Sequence, residues 1–411
     1  MNILMISYLF PPIINPQGIL GARLAKYLKK AGHHVTVIAG SEIDSYGSTH
    51  GTDSELMEDL KDIDVVYVRD RKRSGVINNL KNKIIYHENY HYWVKMVVEV
   101  AVPICKTKNI DIIYSLSAPL ASNIAGMKVM QRTQIPWIAH FSDPTMLAIG
   151  LKFKSPIRTH LTYTDERALL KDSDGITFVN EDTLLRTTQQ CQQYREKCII
   201  LPHFYDPDYY TQLQSPFDTG AKIRFTYVGS LYGRRNPFDA INALKMLIQN
   251  QPELLGRFEF NLYGVIDQEI LKLLDCEKHE WLKIRGSVSY KESIRVMQSS
   301  DFLLLIDMPN VDNIFTPSKL IDYLAANIPI IGITPGNSNS ARILNSIPYP
   351  VIEPGDVTGL CGCLQKSIIN PQQGLSINHK IVAEAFKVEN VVATLIGFMD
   401  TTIAGHSHGS K

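Results

Sequence analysis

Four cationic and acidic residues in the second half of the chain are of the types that hold a charged phosphoester. Arg234 and Arg235 lie in Gly229-Ser-Leu-Tyr-Gly-Arg-Arg-Asn-Pro237, directly after an apolar run. Guanidinium groups fork phosphate oxygens and glycine lets the backbone approach a ligand, so this loop, with Ser230 at its head, suits a diphosphate. Further on, Asp312 to Thr334 reads Asp-Asn-Ile-Phe-Thr-Pro-Ser-Lys-Leu-Ile-Asp-Tyr-Leu-Ala-Ala-Asn-Ile-Pro-Ile-Ile-Gly-Ile-Thr. Pro317 is rigid, Ser318 can cap a helix, and Leu320, Ile321, Leu324 and Ala325 recur at helical spacing until Asn327 offers a left-handed stop. A helix that opens at Ser318 exposes its amide end beside Lys319, and such an end favours phosphate. Asp322 lies four residues past Ser318 on the same face, a spacing that suits the ribose diol attached to that phosphate.

Strands must bring these groups to one edge. Asp301 to Asp307 and Pro329 to Ile333 read as buried strands on either side of the helix. Ile223 to Val228 precedes the arginine loop, a helix from Asp239 to Gln249 follows it, and the strand Phe258 to Tyr263 ends at Gly264. A short strand, Leu282 to Arg285, leads through Gly286-Ser-Val288-Ser289 into a helix from Tyr290 to Gln298. The turn Gly336 to Ser340 reads as polar and flexible.

The first half repeats the scheme. A strand from Asn2 to Ser7, a loop ending in Gln17 and Gly18, a helix from Ile19 to Ala31 and a strand from His34 to Ala39 make a βαβ unit. A dinucleotide site asks for Gly-x-Gly-x-x-Gly directly after the first strand; only Gly18 and Gly21 stand there, which disfavours oxidoreductase chemistry. The strand Ile135 to Ala139 ends at His140-Phe-Ser-Asp143-Pro144, and polar residues at the carboxyl end of a parallel strand face the ligand side of such sheets. His140 and Asp143 are therefore the candidate polar pair of this half. A helix is expected over Leu161 to Lys171 and another over Asp182 to Tyr194.

With 411 residues the chain is long enough for two domains of about 200 each. The boundaries expected are an N-terminal domain over 1–205, a hinge over 206–222, a second domain over 223–385, a C-terminal helix over 386–403 and a disordered tail over 404–411. A hydrophobic fraction of 45% with 20% charged residues fits a globular protein, and a net charge of +1 argues against a nucleic-acid partner. Six scattered cysteines lack metal-ligand or redox-pair spacing, so no metal is expected and the thiols point to a cytosolic setting. No basic leader and no apolar run of membrane-spanning length is apparent. Residues 81–108 mix Tyr86, Tyr90, Tyr92 and Trp93 with Lys83, His87 and Lys95, a pattern that suits either a domain helix or a peripheral contact with an anionic bilayer.

In this order the motifs resemble the family-four retaining glycosyltransferases, from Asn2 to about Met399. The resemblance rests on Pro-Ser-Lys with a following carboxylate at Asp322, on Trp137-Ile-Ala-His-Phe-Ser-Asp-Pro, on Pro202-His-Phe-Tyr-Asp-Pro207, and on the glycine loop at 229. It implies an α/β GT-B fold, two Rossmann-like domains with parallel sheets facing across a cleft. It further implies a nucleotide-sugar donor, UDP- or GDP-linked, with no metal or other cofactor required. Ser230, Arg234, Arg235, Pro317, Ser318 and Lys319 would hold the diphosphate, Asp322 the ribose, and Gly264 and Val288 the base. His140 and Asp143 would orient the transferred sugar or the acceptor, and Gln17, Gly18, Asp312 and Asn313 would line the acceptor and sugar loops. Two family positions are changed: Ile314 stands where a glutamate is common and Ser230 where an arginine is. The pathway implied is surface-polysaccharide synthesis on a lipid-linked or saccharide acceptor at the inner face of the plasma membrane. A sugar-nucleotide epimerase of the same fold and an inactive partner protein are the alternatives.

Overall fold

Unbroken Ile, Val and Leu runs without polar alternation are the mark of strands covered on both faces, and here they build two all-parallel sheets. The computed structural model describes residues 1–13, 15–40, 55–69, 91–150, 152–153, 155–210, 222–308, 314–371 and 378–409. The chain divides into Met1–His203 with Val388–Lys411, and Phe204–Lys387.

The first unit runs β1 (Asn2–Ser7), α1 (Pro16–Lys30), β2 (His34–Gly40), α2 (Glu55–Glu58), β3 (Asp64–Val68), α3 (His91–Thr107), β4 (Ile112–Leu116), α4 (Ala121–Thr133), β5 (Trp137–Phe141), α5 (Met146–Ile149), α6 (Pro156–Asp172), β6 (Gly175–Phe178), α7 (Glu181–Thr187) and β7 (Cys198–Ile200). Its sheet order is β3-β2-β1-β4-β5-β6-β7, reversing direction between β1 and β4. The helix expected from Ile19 begins earlier, because Asn15 caps it through the Gln17 amide and Pro16 pre-sets its first turn. Gly18 lets α1 lie against the preceding loop, since a Cβ there would stand 3.2 Å from the Phe10 Cα. The helix expected through Tyr194 stops at Thr187 and is followed by a 3-10 segment, Gln192–Lys197; Arg195 Nε bonds Thr188 Oγ1 across the break.

Of the mixed segment 81–108, residues 81–90 lie outside the described residues. In α3, Trp93, Val94, Val97, Val98, Ala101 and Cys105 are buried in the core of this unit, so its apolar stripe is already covered by protein. No helix among the described residues is long and apolar enough to cross a membrane.

The second unit runs β8 (Ile223–Val228), α8 (Phe238–Asn250), β9 (Phe258–Tyr263), α9 (Gln268–Leu274), β10 (Leu282–Gly286), α10 (Tyr290–Gln298), β11 (Phe302–Ile306), α11 (Ser318–Ala326), β12 (Ile330–Ile333), α12 (Asn339–Ser346), β13 (Val351–Ile352), α13 (Val357–Ile369) and α14 (Asn378–Glu384). Its sheet order is β10-β9-β8-β11-β12-β13, with the reversal between β8 and β11. Alternate residues of β11 serve opposite faces: Phe302, Leu304 and Ile306 pack toward α8 and α13, Leu303 and Leu305 toward α10, α11 and α12. The turn read as flexible is instead a helix start, with Ser338 capping α12 through the Ala341 amide at 3.0 Å. Of the expected hinge, 211–221 lie outside the described residues, while Tyr205 and Tyr210 pack edge to face within the second unit.

The last helix, α15 (Val388–Gly409), belongs to the first unit. Phe398 packs on Gly175, where a Cβ would meet the ring at 2.8 Å. The tail expected to be disordered from 404 is helical to Gly409, because His406 Nδ1 bonds Asp174 Oδ1 at 2.8 Å and its Nε2 bonds the Gln134 carbonyl at 3.0 Å. Deleting 404–411 is expected to lower stability by about 1–2 kcal/mol, read as a lower urea midpoint. An unchanged midpoint would mean that these bonds do not form in solution.

Candidate functional site

Both sheets place polar side chains where their strand order reverses, the position at which α/β folds bind ligands. The second unit has the denser set. β8 ends at Gly229, whose amide donates to the Tyr263 carbonyl at 2.9 Å, and β9 ends at Gly264, whose amide donates to the Gly286 carbonyl at 2.8 Å. Gly229 and Gly264 have φ of +144° and +128°. A Cβ on Gly264 would overlap the Gly229 carbonyl oxygen, and one on Gly229 would overlap Lys319 Nζ. The glycines are thus required by contact between two strand ends and by the amine lying over them.

Lys319 enters from the first turn of α11. Its Nζ bonds the Tyr227 hydroxyl and sits 4.2 Å from the centre of that ring. Tyr227 in turn donates to the Ser230 carbonyl at 2.8 Å, tying the loop down. Among the described residues Lys319 has no carboxylate within ion-pair distance. Burial, then the neighbouring Arg235 guanidinium, push its amine well below the usual lysine range, against an opposing pull from Asp307. The helix has Pro317 rather than Ser318 at its cap, without a side-chain cap bond, and ends at Asn327 with φ +57° as the sequence indicated. Among the described residues the Ser318 and Lys319 amides have no acceptor, so this helix end presents bare donors beside the amine.

Arg235 donates through Nη1 to the Tyr232 hydroxyl at 3.1 Å and faces Asp307 through Nη2 at 3.7 Å; its Nε is buried without an acceptor. Arg234 and Ser230 are exposed. Asp322 accepts the hydroxyls of both Tyr210, at 2.9 Å, and Tyr290, at 3.0 Å, on the same oxygen Oδ1. Tyr323, one residue on, ties α11 to the end of β8 by accepting from the Val228 amide at 2.8 Å and donating to the Val228 carbonyl at 3.2 Å. Val288 is half-buried just past β10, before Ser289, which caps α10.

Arg235, Lys319, Gly229 and Gly264 are thus brought together, with Tyr227 and Asp307 added by the structure. Asp307 had a legible signal, a polar residue released at the end of an apolar strand. The tyrosines that seat Lys319 and Asp322 had none. Ile314 is only 4% exposed. Asp312 and Asn313 lie outside the described residues.

In the first unit His140 is 7% exposed at the end of β5. Its Nδ1 lies 2.8 Å from Thr177 Oγ1, and its carbonyl accepts Asn123 Nδ2 at 3.0 Å. Asn123 accepts from Ser115 Oγ at 2.7 Å, and Trp137 Nε1 donates to that Oγ at 2.8 Å, so the strand end is held by a closed polar chain. Burial, with a smaller effect of His203, pushes the imidazole down to about 3, which keeps it neutral at neutral pH and makes it a hydrogen-bonding group rather than a cation. Asp143 shares no hydrogen bond with His140, and the protein around it pushes its carboxyl above the usual carboxylate range. Nor does Asp143 cap the next helix; the Met146 amide is taken by Glu166 Oε1 at 2.6 Å. Gln17 and Gly18 form the first turn of α1. Among the described residues no group of three or more His, Cys, Asp or Glu is placed to hold a metal.

No family model matches the sequence, and no curated protein matches it. Solved structures do. An Anabaena protein, HepE, in complex with UDP and glucose is 14% identical with a TM-score of 0.68, covering 97% of this chain and 99% of its own. The fold is GT-B. WaaB, a lipopolysaccharide outer core galactosyltransferase, shares this GT-B architecture at 12% identity and a TM-score of 0.64 over 98% of this chain and 99% of its own. A Listeria monocytogenes protein described as a UDP-N-acetylglucosamine 2-epimerase has it at 11% identity and 0.59, over 96% and 95%. GT-B therefore fixes the architecture and leaves the reaction to the residues of the site.

Proposed function

We propose that this protein is a glycosyltransferase that takes a nucleoside diphosphate sugar as donor. One observation carries the reading: among the described residues, a lysine without a carboxylate partner, an arginine with a buried unbonded Nε and two unoccupied helix amides meet beside two bare glycine backbones in the second unit. Such a set is incomplete without a dianion. On this reading Arg235 and Lys319 bind the diphosphate and stabilise the charge that builds on it as the glycosidic bond to the donor breaks. The amides of Ser318 and Lys319 add the helix field. Asp322, held by its two tyrosines, takes the ribose diol, and the strand-end backbone near Gly264 and Val288 meets the base.

The finer assignments extend the same reading. Transfer proceeds with retention to a lipid-linked or saccharide acceptor in surface-polysaccharide synthesis, at the inner face of the plasma membrane. Likeness to HepE and WaaB supports this choice of donor and acceptor class. His140 and Asp143 are assigned to orienting the sugar or acceptor, with neutral His140 acting by hydrogen bonds.

Thermal stabilisation against UDP, GDP, ADP and dTDP tests the donor site. One nucleotide at a hundred times its Kd is expected to add about 2.7 kcal/mol, lost in Arg235→Ala. No shift with any of them defeats the proposal. Asp322→Asn is expected to weaken binding of the ribonucleotide about tenfold and leave its 2′-deoxy analogue within about twofold, as measured by calorimetry. Equal losses for both would show that Asp322 supports the fold and not the ribose.

A further inference from the structure

One buried carboxylate at this edge has no part in holding a diphosphate and stands where it opposes one. Asp307 lies one residue past β11 and its side chain is 8% exposed. Oδ1 accepts the Met308 amide at 2.9 Å; Oδ2 accepts Ser340 Oγ at 2.9 Å and Thr334 Oγ1 at 3.3 Å. Thr334 Oγ1 is in turn 2.8 Å from Ser338 Oγ, the cap of α12. Donors from the strand end, the next strand end and α12 therefore hold this carboxylate from three sides. Arg235 is held less firmly. Its pair with Asp307 spans 3.7 Å, its other bonded partner Tyr232 is exposed, and its Nε is unbonded. A movable guanidinium beside a fixed carboxylate can turn toward an arriving anion while the carboxylate stays.

We propose that Asp307 is a built-in competitor of the diphosphate: it keeps Arg235 in place while the site is empty and, staying charged beside the bound diphosphate, limits how tightly the nucleotide product is retained. This rests on the reading that the edge binds a nucleoside diphosphate. Two cations and a helix end make a strong trap for the leaving diphosphate, and release of product limits turnover in many enzymes. A like charge fixed nearby weakens ground-state retention of the product. Asparagine at this position can keep the hydrogen bonds, because the hydroxyls of Thr334 and Ser340 can rotate to accept, and removes only the charge.

Calorimetry with UDP, with inorganic pyrophosphate and with uridine separates the possibilities, using in place of UDP and uridine whichever diphosphate of the panel binds and its nucleoside. Asp307→Asn is expected to tighten UDP and pyrophosphate by about threefold to tenfold and to leave uridine unchanged. In turnover, donor KM and kcat are expected to fall together as release slows. Unchanged or weaker UDP binding in Asp307→Asn overturns the inference, as does an equal change for uridine, which would mark a purely structural residue. Should Asp307→Asn not fold, Arg235→Gln/Asp307→Asn leaves neither charge without its partner, and it is expected to bind pyrophosphate more tightly than Arg235→Gln. A wild-type protein that binds no diphosphate removes this inference and the proposed function together; one that binds UDP while Asp307→Asn fails the test removes this inference alone.

Discussion

Lys319→Met is expected to lower kcat/KM for the nucleotide-sugar donor by about a thousandfold, whereas Arg234→Ala should stay within about threefold. The difference follows from surroundings rather than charge. Arg234 is exposed, where water and salt screen its attraction for a phosphate. Lys319 Nζ is packed over the Tyr227 ring and the Gly229 backbone, and no carboxylate among the described residues lies within ion-pair distance of it. Methionine fills the same space without the charge, so a loss of this size would report electrostatics and not packing. A second signature is a proton. Burial and Arg235 hold the amine below its ordinary value in the empty protein, and a diphosphate beside it restores the protonated form. The complex then binds more protons than the free protein, so affinity is highest at low pH and falls as pH rises from the depressed value toward the restored one. From about pH 7 to about pH 9, above the titration of the phosphate itself, UDP affinity should decline in the wild type and stay flat in Lys319→Met. Calorimetry in two buffers of different ionisation enthalpy reads the same proton directly. A pH-independent wild type would mean that Lys319 is already charged and that the amine is not where binding draws its proton.

How much of this site was legible in the sequence depends on whether a residue acts through its own type or through what packs on it. Arginine after a glycine loop, lysine in the first turn of a helix and the stop at Asn327 are statements about local chemistry, and the structure places Arg235, Lys319 and Asn327 accordingly. Buried parallel strands were equally plain, since unbroken Ile, Val and Leu runs have no other stable home than between two helical layers. The failures are long-range contacts. Nothing near 336–340 announces that Ser340 bonds Asp307, 33 residues away, or that Ser338 bonds the Thr334 hydroxyl beside it, so the turn read as loose when its polarity serves a buried carboxylate. The tail at 404–409 looked featureless because its partners, Asp174 and Gln134, are over 230 residues distant. His140 and Asp143 were paired on proximity in sequence, whereas the groups that bond His140, Thr177 and Asn123, come from other elements of the unit and leave no mark near the motif.

Gly264→Ala tests the framework on which all of this depends. Its φ of +128° lies in a region that an L side chain rarely adopts, and the added methyl would overlap the Gly229 carbonyl oxygen. Neither strand end has room to retreat. Gly264 is tied to Gly286 through its amide, Gly229 to Tyr263, and the Leu231 amide donates to the Val265 carbonyl at 2.9 Å, so moving one loop strains the ladder of three strands. The expected destabilisation is about 3–5 kcal/mol, which for a unit of this size lowers the melting temperature by about 10 °C. Gly233→Ala is the matched control, because Gly233 also has positive φ, +55°, yet no atom lies within 4 Å of the position its Cβ would take. That change should cost about 1 kcal/mol from backbone strain alone. Because Gly229 also seats Lys319, Gly264→Ala should lose nucleotide binding at temperatures where it is still folded, while Gly233→Ala should keep it. If the two variants melt together, the strand ends are not in contact and the diphosphate cradle is not built as described. If Gly264→Ala melts early but binds UDP normally, the glycine pair serves stability alone, and Arg235 and Lys319 hold the donor without help from the backbone between them.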